Sequence, residues 1–181
     1  MDAPRTRSIS ADEEAEFISA IDRWIERSLK PEVVREFDHT DTYPAQIVEE
    51  MKELGLFGAT VGSDYGGLGL PASTYAKIVM RISSVWMSVT GIFNSHLMLA
   101  LAIEKFGTEP QKRRWLPKLA SGEIRGGLAL TEPDAGTDLQ AIRLTARRDG
   151  DHYVLNGTKT WISNGIEGSC FALLVKTNPD A

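Results

Sequence analysis

The pattern of apolar positions divides the chain into a helical part and a strand-forming part. Phe17, Ile18, Ile21, Trp24, Ile25 and Leu29 recur at helical spacing. They follow Ser10-Ala-Asp-Glu13, which has the form of a capping box, and Pro31 limits the helix. Pro44 suits the first turn of a second helix, with Ile47, Met51 and Leu54 on one face and Gly55 as its stop. The stretch "GSDYGGLGLP", 62–71, holds four glycines and a proline and reads as a loop. Two long helices are predicted over 73–85 and 88–106. Thr108-Glu-Pro-Gln111 then repeats the capping-box form and opens a short helix to about Ala120.

Past Arg125 the period changes. Leu128-Ala-Leu130 reads as a strand. Ile142, Leu144 and Ala146 alternate with Arg143, Thr145 and Arg147, the period of a half-buried strand. Asp149-Gly150 and Asn156-Gly157 are hairpin turn signals. They bracket His152–Leu155, with further strands expected over 158–162 and 171–176. The expected architecture is α+β, an all-helical domain over 1–124 followed by a partial β-domain over 125–181, built as an antiparallel meander.

Composition narrows the function classes. The 181 residues are 42% hydrophobic and 25% charged with a formal net charge of −5, ordinary for a soluble globular chain. The acid balance gives no general attraction to nucleic acid or anionic membrane. Cys170 is the sole cysteine, so an internal disulfide and a CxxC zinc site are excluded. The N-terminal stretch lacks the apolar core of a secretory leader, and a cytoplasmic protein is the expectation. Residues 82–103 carry no Lys, Arg, Asp or Glu, a length that suits a bilayer. Ser83, Ser84, Ser88, Thr90, Asn94, Ser95 and His96 interrupt the segment, which favours a helix buried in a soluble core.

The stretch with the most chemistry is "LALTEPDAGTDLQA", 128–141. Glu132, Asp134 and Asp138 lack the spacing of a calcium loop, and the chain has no phosphate-cradling GxxxxGK[ST]. His39, His96 and His152 stand near no nucleophile elbow. The residues alone leave two readings open. Either Thr131 offers a hydroxyl to a flat polar ring that Trp161 covers, or Trp161 is plain core and Thr131 a cap.

The segment "GLALTEPDAGTDLQA" resembles the flavin-loop signature of the acyl-CoA dehydrogenases. "LNGTKTWISNG", 155–165, resembles that family's second hallmark segment. "FGTEPQKRRWLPKLASGE", 106–123, and "DYGGLGLP", 64–71, are similar to further family segments, in the same order. The resemblance covers most of residues 43–177.

It implies a helical domain, a middle β-domain that is barrel-like and antiparallel, and a C-terminal four-helix domain absent from this chain. It implies FAD as cofactor and α,β-dehydrogenation of an acyl-CoA thioester, with acyl-CoA oxidase or flavin monooxygenase activity, or a non-catalytic supporting role, as alternatives. By motif position, Leu128, Ala129, Leu130, Thr131, Gly136 and Thr137 would line flavin and thioester. Thr131 would donate to the pyrimidine side of the ring, Thr137 would contact acyl-CoA, and Trp161, Ile162 and Ser163 would flank the ring near N5. Ser163 stands where many members have threonine. The family's catalytic base is a glutamate of the C-terminal domain, which the resemblance puts beyond Ala181. No catalytic residue is therefore expected among these 181 residues, and Glu132 is not put in the place of the base. The partners implied are an electron-transfer flavoprotein or similar acceptor and the C-terminal portion of the same or a partner chain, with a homo-oligomer when complete. The 181 residues by themselves are expected to be catalytically silent.

Overall fold

A computed structural model of the protein describes residues 8–178. Two expectations fall outside them: the part of the leader reading that rests on residues 1–7, and the placing of the catalytic base beyond Ala181.

Five helices come first. Helix α1, Ala11–Ser28, starts at the expected capping box. The Glu13 amide donates to Ser10 Oγ at 3.1 Å, and the Ser10 amide donates to Glu13 Oε2 at 2.8 Å. Two orphan donors of the first turn are thereby satisfied, an arrangement worth about 1 kcal/mol. Helix α2, Pro31–Thr40, was not expected. Pro31, read as a stop for α1, is also a good first residue for the next helix, and none of the α2 residues is fully buried. Its apolar face is well segregated but consists of only Val33, Val34 and Phe37 over ten residues, too short a run for periodicity to mark a helix. Helix α3, Ala45–Glu53, begins one residue after Pro44, which serves as its N-cap.

Helix α4, Ala72–Phe106, comprises the two predicted long helices joined across a kink. It is continuous apart from Trp86, whose backbone is extended at φ −149° and ψ 93°. That one non-helical residue kinks the helix where the sequence reading had placed a gap. Side chains stabilise the kink. Trp86 Nε1 donates to Asp38 Oδ1 at 3.0 Å, its ring stacks on Phe37 with centroids 5.7 Å apart, and Ser83 Oγ donates to Thr90 Oγ1 at 3.2 Å. By length and composition α4 is able to cross a membrane, yet Ile78, Ile82, Val89, Phe93, Leu97 and Ala100 are buried in the protein core. Helix α5, Glu109–Ala120, opens at the second capping box.

The core lies between these helices. Ile21, Trp24, Met51, Phe57, Phe93, Leu116 and Leu119 are essentially inaccessible. Burying a side chain of this size contributes about 1.5–3 kcal/mol. The one polar atom of the Trp24 side chain is satisfied, since its Nε1 donates to Glu50 Oε2 at 2.7 Å.

The β-region departs from the expected meander. Strand β1, Gly126–Ala129, packs on α4 and pairs in parallel with β4, Cys170–Leu173. Strands β2, Thr145–Asp149, and β3, His152–Asn156, form an antiparallel hairpin. The result is two small sheets of two strands each. A parallel bridge between Thr145 and Lys176 joins them.

The predicted strand over 158–162 is not formed. Gly157 has φ +143° and passes so close to Leu144 that a Cβ there would stand 2.7 Å from Leu144 Cα. The chain runs on over β2 at this point and does not turn back as a hairpin. Trp161 then takes φ +56°, which ends any extended run. The alternation over 142–146 survives in burial: Ile142, Leu144 and Ala146 are buried, although regular pairing begins only at Thr145.

Candidate functional site

Beyond β1 the chain makes a tight turn. The Glu132 amide donates to the Ala135 carbonyl at 2.8 Å and the Ala135 amide returns to the Glu132 carbonyl at 3.2 Å. Pro133 sits at the turn position that its fixed φ favours. The Thr131 carbonyl, just before the turn, accepts from the Thr160 amide at 2.9 Å. That bond brings the two segments singled out in the sequence side by side.

A buried ion pair reinforces the junction. Lys159 Nζ donates to the Leu130 carbonyl at 2.7 Å and to Glu132 Oε1 at 2.8 Å. Glu132 also accepts from the Arg143 amide at 2.6 Å and from the Leu144 amide at 3.0 Å. The two side chains are only 7% and 6% exposed. Burial works against the Glu132 charge. The Lys159 ammonium and the two amides outweigh it and hold the carboxyl down at about 2, well below the ordinary 4.5. Glu132 is therefore ionised and fully engaged at neutral pH. Asp134 pairs with Arg143 at 3.2 Å, but both side chains are largely exposed and the pair adds little. Asp138 caps a short turn by accepting from the Gln140 amide at 3.1 Å. Among the described residues no group of three or more His, Cys, Asp or Glu is placed to hold a metal.

Ala129 is buried, while Leu128, Thr131 and Ile162 are half-buried or nearly so. Ala129, Trp161 and Ile162 line one open cleft of about 680 Å³, together with Lys159, Phe171 and Leu173. Ile162 and Ser163 also line a second cleft of about 370 Å³ against Ile92 of α4 and Tyr43. Gly136 and Thr137 are exposed beyond the turn and line neither cleft. Trp161 is 90% exposed, so the alternative in which it is plain core is set aside. Among the described residues, no side-chain hydrogen bond uses the Thr131, Thr137 or Ser163 hydroxyl. On the two joined segments Thr131 and Ser163 thus keep unengaged hydroxyls near an uncovered indole, with Thr137 apart from them beyond the turn. A flat ring with polar edges matches that donor set, and the fit of FAD is consistent with it.

Three contributors were missed in the sequence: Lys159, Thr160 and Asn164. Lys159 is the only charged residue between Gly157 and Glu167, a sign that it has a partner. Asn164-Gly165 is a turn signal of the same kind as Asn156-Gly157.

Residues 11–123 match the family model for the acyl-CoA dehydrogenase N-terminal domain, and 127–181 match that for the acyl-CoA dehydrogenase middle domain. The short-chain specific acyl-CoA dehydrogenase of Clostridium acetobutylicum is 38% identical over 154 residues, covering 84% of this chain and 40% of that protein. A chain in the structure of the electron transferring flavoprotein of Acidaminococcus fermentans superposes with a TM-score of 0.86 at 31% identity. The match covers 99% of this chain and 46% of that one. A glutaryl-CoA dehydrogenase of Mycobacterium smegmatis in complex with FADH2 gives 0.84 at 31% identity, with 93% and 43% covered. The chain spans about 40% of the length of the curated relatives it matches. Two consecutive domain matches, in the order the folded helices and strands follow, show that the chain belongs to the acyl-CoA dehydrogenase family.

Proposed function

We propose that this chain supplies the helical domain and one wall of the flavin site of an FAD-dependent acyl-CoA dehydrogenase. The observation that carries the reading is the Thr131–Thr160 hydrogen bond. It aligns two separate segments into one edge with free hydroxyls and an exposed indole. The Mycobacterium smegmatis relative, solved with FADH2, supports a reduced flavin as the occupant of such a site. The buried face of α4 supports reading it as a core helix of a soluble enzyme.

FAD, when bound, supplies the acceptor for a β-hydride from the acyl thioester. Thr131 and Ser163 would direct hydroxyls at the ring edge, Trp161 would cover its face, and Gly136 with Thr137 would meet the thioester end. Donors fixed in advance are worth about 3 kcal/mol each when aimed at developing negative charge. We assign no base to these residues. Glu132, held at about 2 by Lys159 and two amides, is too weakly basic to remove an α-proton and is oriented into the protein. The base, the remainder of the flavin cleft and the oligomer contacts are assigned to the part of the family architecture that this chain does not span. The likeness to a chain from an electron transferring flavoprotein structure supports an electron-transfer flavoprotein as acceptor.

The test is anaerobic. FAD is titrated into the protein, an acyl-CoA panel is added, and flavin bleaching is followed with and without the complementary C-terminal polypeptide. Bleaching that requires that polypeptide is the expected result. Absence of FAD binding in both cases refutes the reading. Rapid reoxidation by oxygen would instead place the chain with the oxidases.

A further inference from the structure

Asn164 lies one residue past Ser163 and takes a left-handed backbone at φ +62°. Asparagine tolerates that region better than most residues. Its Nδ2 donates to the Ile92 carbonyl at 2.9 Å and to the Gly126 carbonyl at 2.7 Å. Both amide protons are thus used, one on α4 and one at the head of β1.

The surrounding backbone is wound around this residue. The Gly168 amide donates to the Asn164 carbonyl at 2.6 Å, and the Gly165 amide donates to the Ile162 carbonyl at 2.9 Å. Trp161, in contrast, has almost no packing of its own and also holds a left-handed φ of +56°. Residues 161–163 are therefore held from their two ends. One end is the Thr160 amide on Thr131. The other is Asn164.

We infer that Asn164 is a positioning residue that holds Trp161, Ile162 and Ser163 in place against β1 and α4. Its amide group is committed to two backbone carbonyls, and it acts through the backbone. Its bearing on flavin rests on the function proposed above, whereas the tether itself does not. Because both acceptors are carbonyls, the site requires a short side chain with two protons to give. Aspartate has the same shape and the same tolerance for a left-handed backbone, but at neutral pH it has no proton and would face two carbonyl oxygens. Glycine keeps the backbone conformation and removes the tether.

The experiment compares Asn164→Gly and Asn164→Asp with wild type in the full chain. Amide exchange is measured by mass spectrometry without flavin, using peptides over 160–168 and helical peptides as the internal reference. Both variants should exchange about tenfold faster or more over 160–168, with the helices unchanged, as expected when two hydrogen bonds are lost locally. The aspartate variant should recover part of its protection near pH 4, where the carboxyl regains a proton. Wild-type exchange in the glycine variant overturns the tether. Should that variant fail to fold, absence of the aspartate recovery at low pH overturns it equally. FAD retention and the visible circular dichroism of bound flavin are then recorded. Faster exchange with unchanged flavin signals leaves the tether standing and overturns its role toward the ring. If wild type binds no FAD, the functional reading fails while the exchange result still decides the tether.

Discussion

Removing the charge of Glu132 while keeping its shape should destabilise the protein more than any change on the exposed part of its loop. Glu132→Gln turns one acceptor oxygen into an NH2 group. That group must face Lys159 or one of the amides of Arg143 and Leu144, all of which are donors. A carboxyl held at about 2 against an ordinary 4.5 carries about 3 kcal/mol of charge-dependent stabilisation. Breaking a buried pair by removing one partner costs about 3–5 kcal/mol. The pair is sealed from solvent but lies close beneath the surface, which favours the lower end, about 3 kcal/mol. For a chain of this size that is a fall of roughly 6–12 °C in Tm. Lys159→Met should cost less, since Glu132 keeps both amides. In the Glu132→Gln background, Lys159→Met should cost almost nothing, giving a coupling above about 1.5 kcal/mol. The pH dependence follows from the lowered carboxyl. Its contribution is complete above about 4.5 and is lost as pH falls toward about 2. Urea unfolding followed by far-UV circular dichroism, for the four proteins at several pH values, measures all of this. Additive single mutants, each below about 1 kcal/mol, would refute a tight buried pair.

Three further outcomes follow from the same geometry. His96 is fully buried with Nε2 on the Leu119 carbonyl at 2.9 Å, and burial pushes it down to about 4; the unfolded chain gains its proton first, so stability should fall between pH 6.5 and about 4, and His96→Leu should flatten that interval in acid-unfolding curves. Trp161→Ala, at a side chain 90% exposed, should change unfolding free energy by no more than about 0.5 kcal/mol yet, with Thr131→Val, should lower retained flavin in absorbance measurements; wild-type flavin content in both would remove these residues from the site. Gly126→Ala would drive a Cβ into hard overlap with the Cys170 carbonyl oxygen and should cost more than about 2 kcal/mol, seen as faster exchange of the 170–173 amides.

The helical half was legible because its signals are local. A capping box is four residues long, and both examples, at Ser10 and Thr108, formed as read. The alternation of Ile142, Leu144 and Ala146 foretold their burial for the same reason. Helix α2 was missed because its apolar face is short, three residues in ten, although well segregated. Strand pairing is not a local property. Nothing within Gly126–Ala129 specifies that its partner runs parallel, and two turn signals between the strands suggested a meander. The failed strand at 158–162 has a sharper cause. Lys159 is drawn inward by the Leu130 carbonyl and Glu132, and a contact between residues 27 apart leaves no periodic trace. At the site, the motif segments were visible, whereas the bonds that align them, Thr160 to Thr131 and Asn164 to α4, belong to the folded chain alone.

The parallel pairing of β1 with β4 has a kinetic consequence. Its partners, from Gly126↔Cys170 to Ala129↔Leu173, lie about forty residues apart in sequence. The β2–β3 hairpin closes through a two-residue connection and each single helix has only local hydrogen bonds, so these form on short timescales. The β1–β4 ladder must instead close a long loop before any of its hydrogen bonds reward the closure. Assembly of the edge that carries Leu128–Thr131 thus belongs among the late events, with the packing of α1 on α4, whose Thr74–Glu14 and Arg81–Asp22 contacts span about sixty residues, and after the single helices and the hairpin.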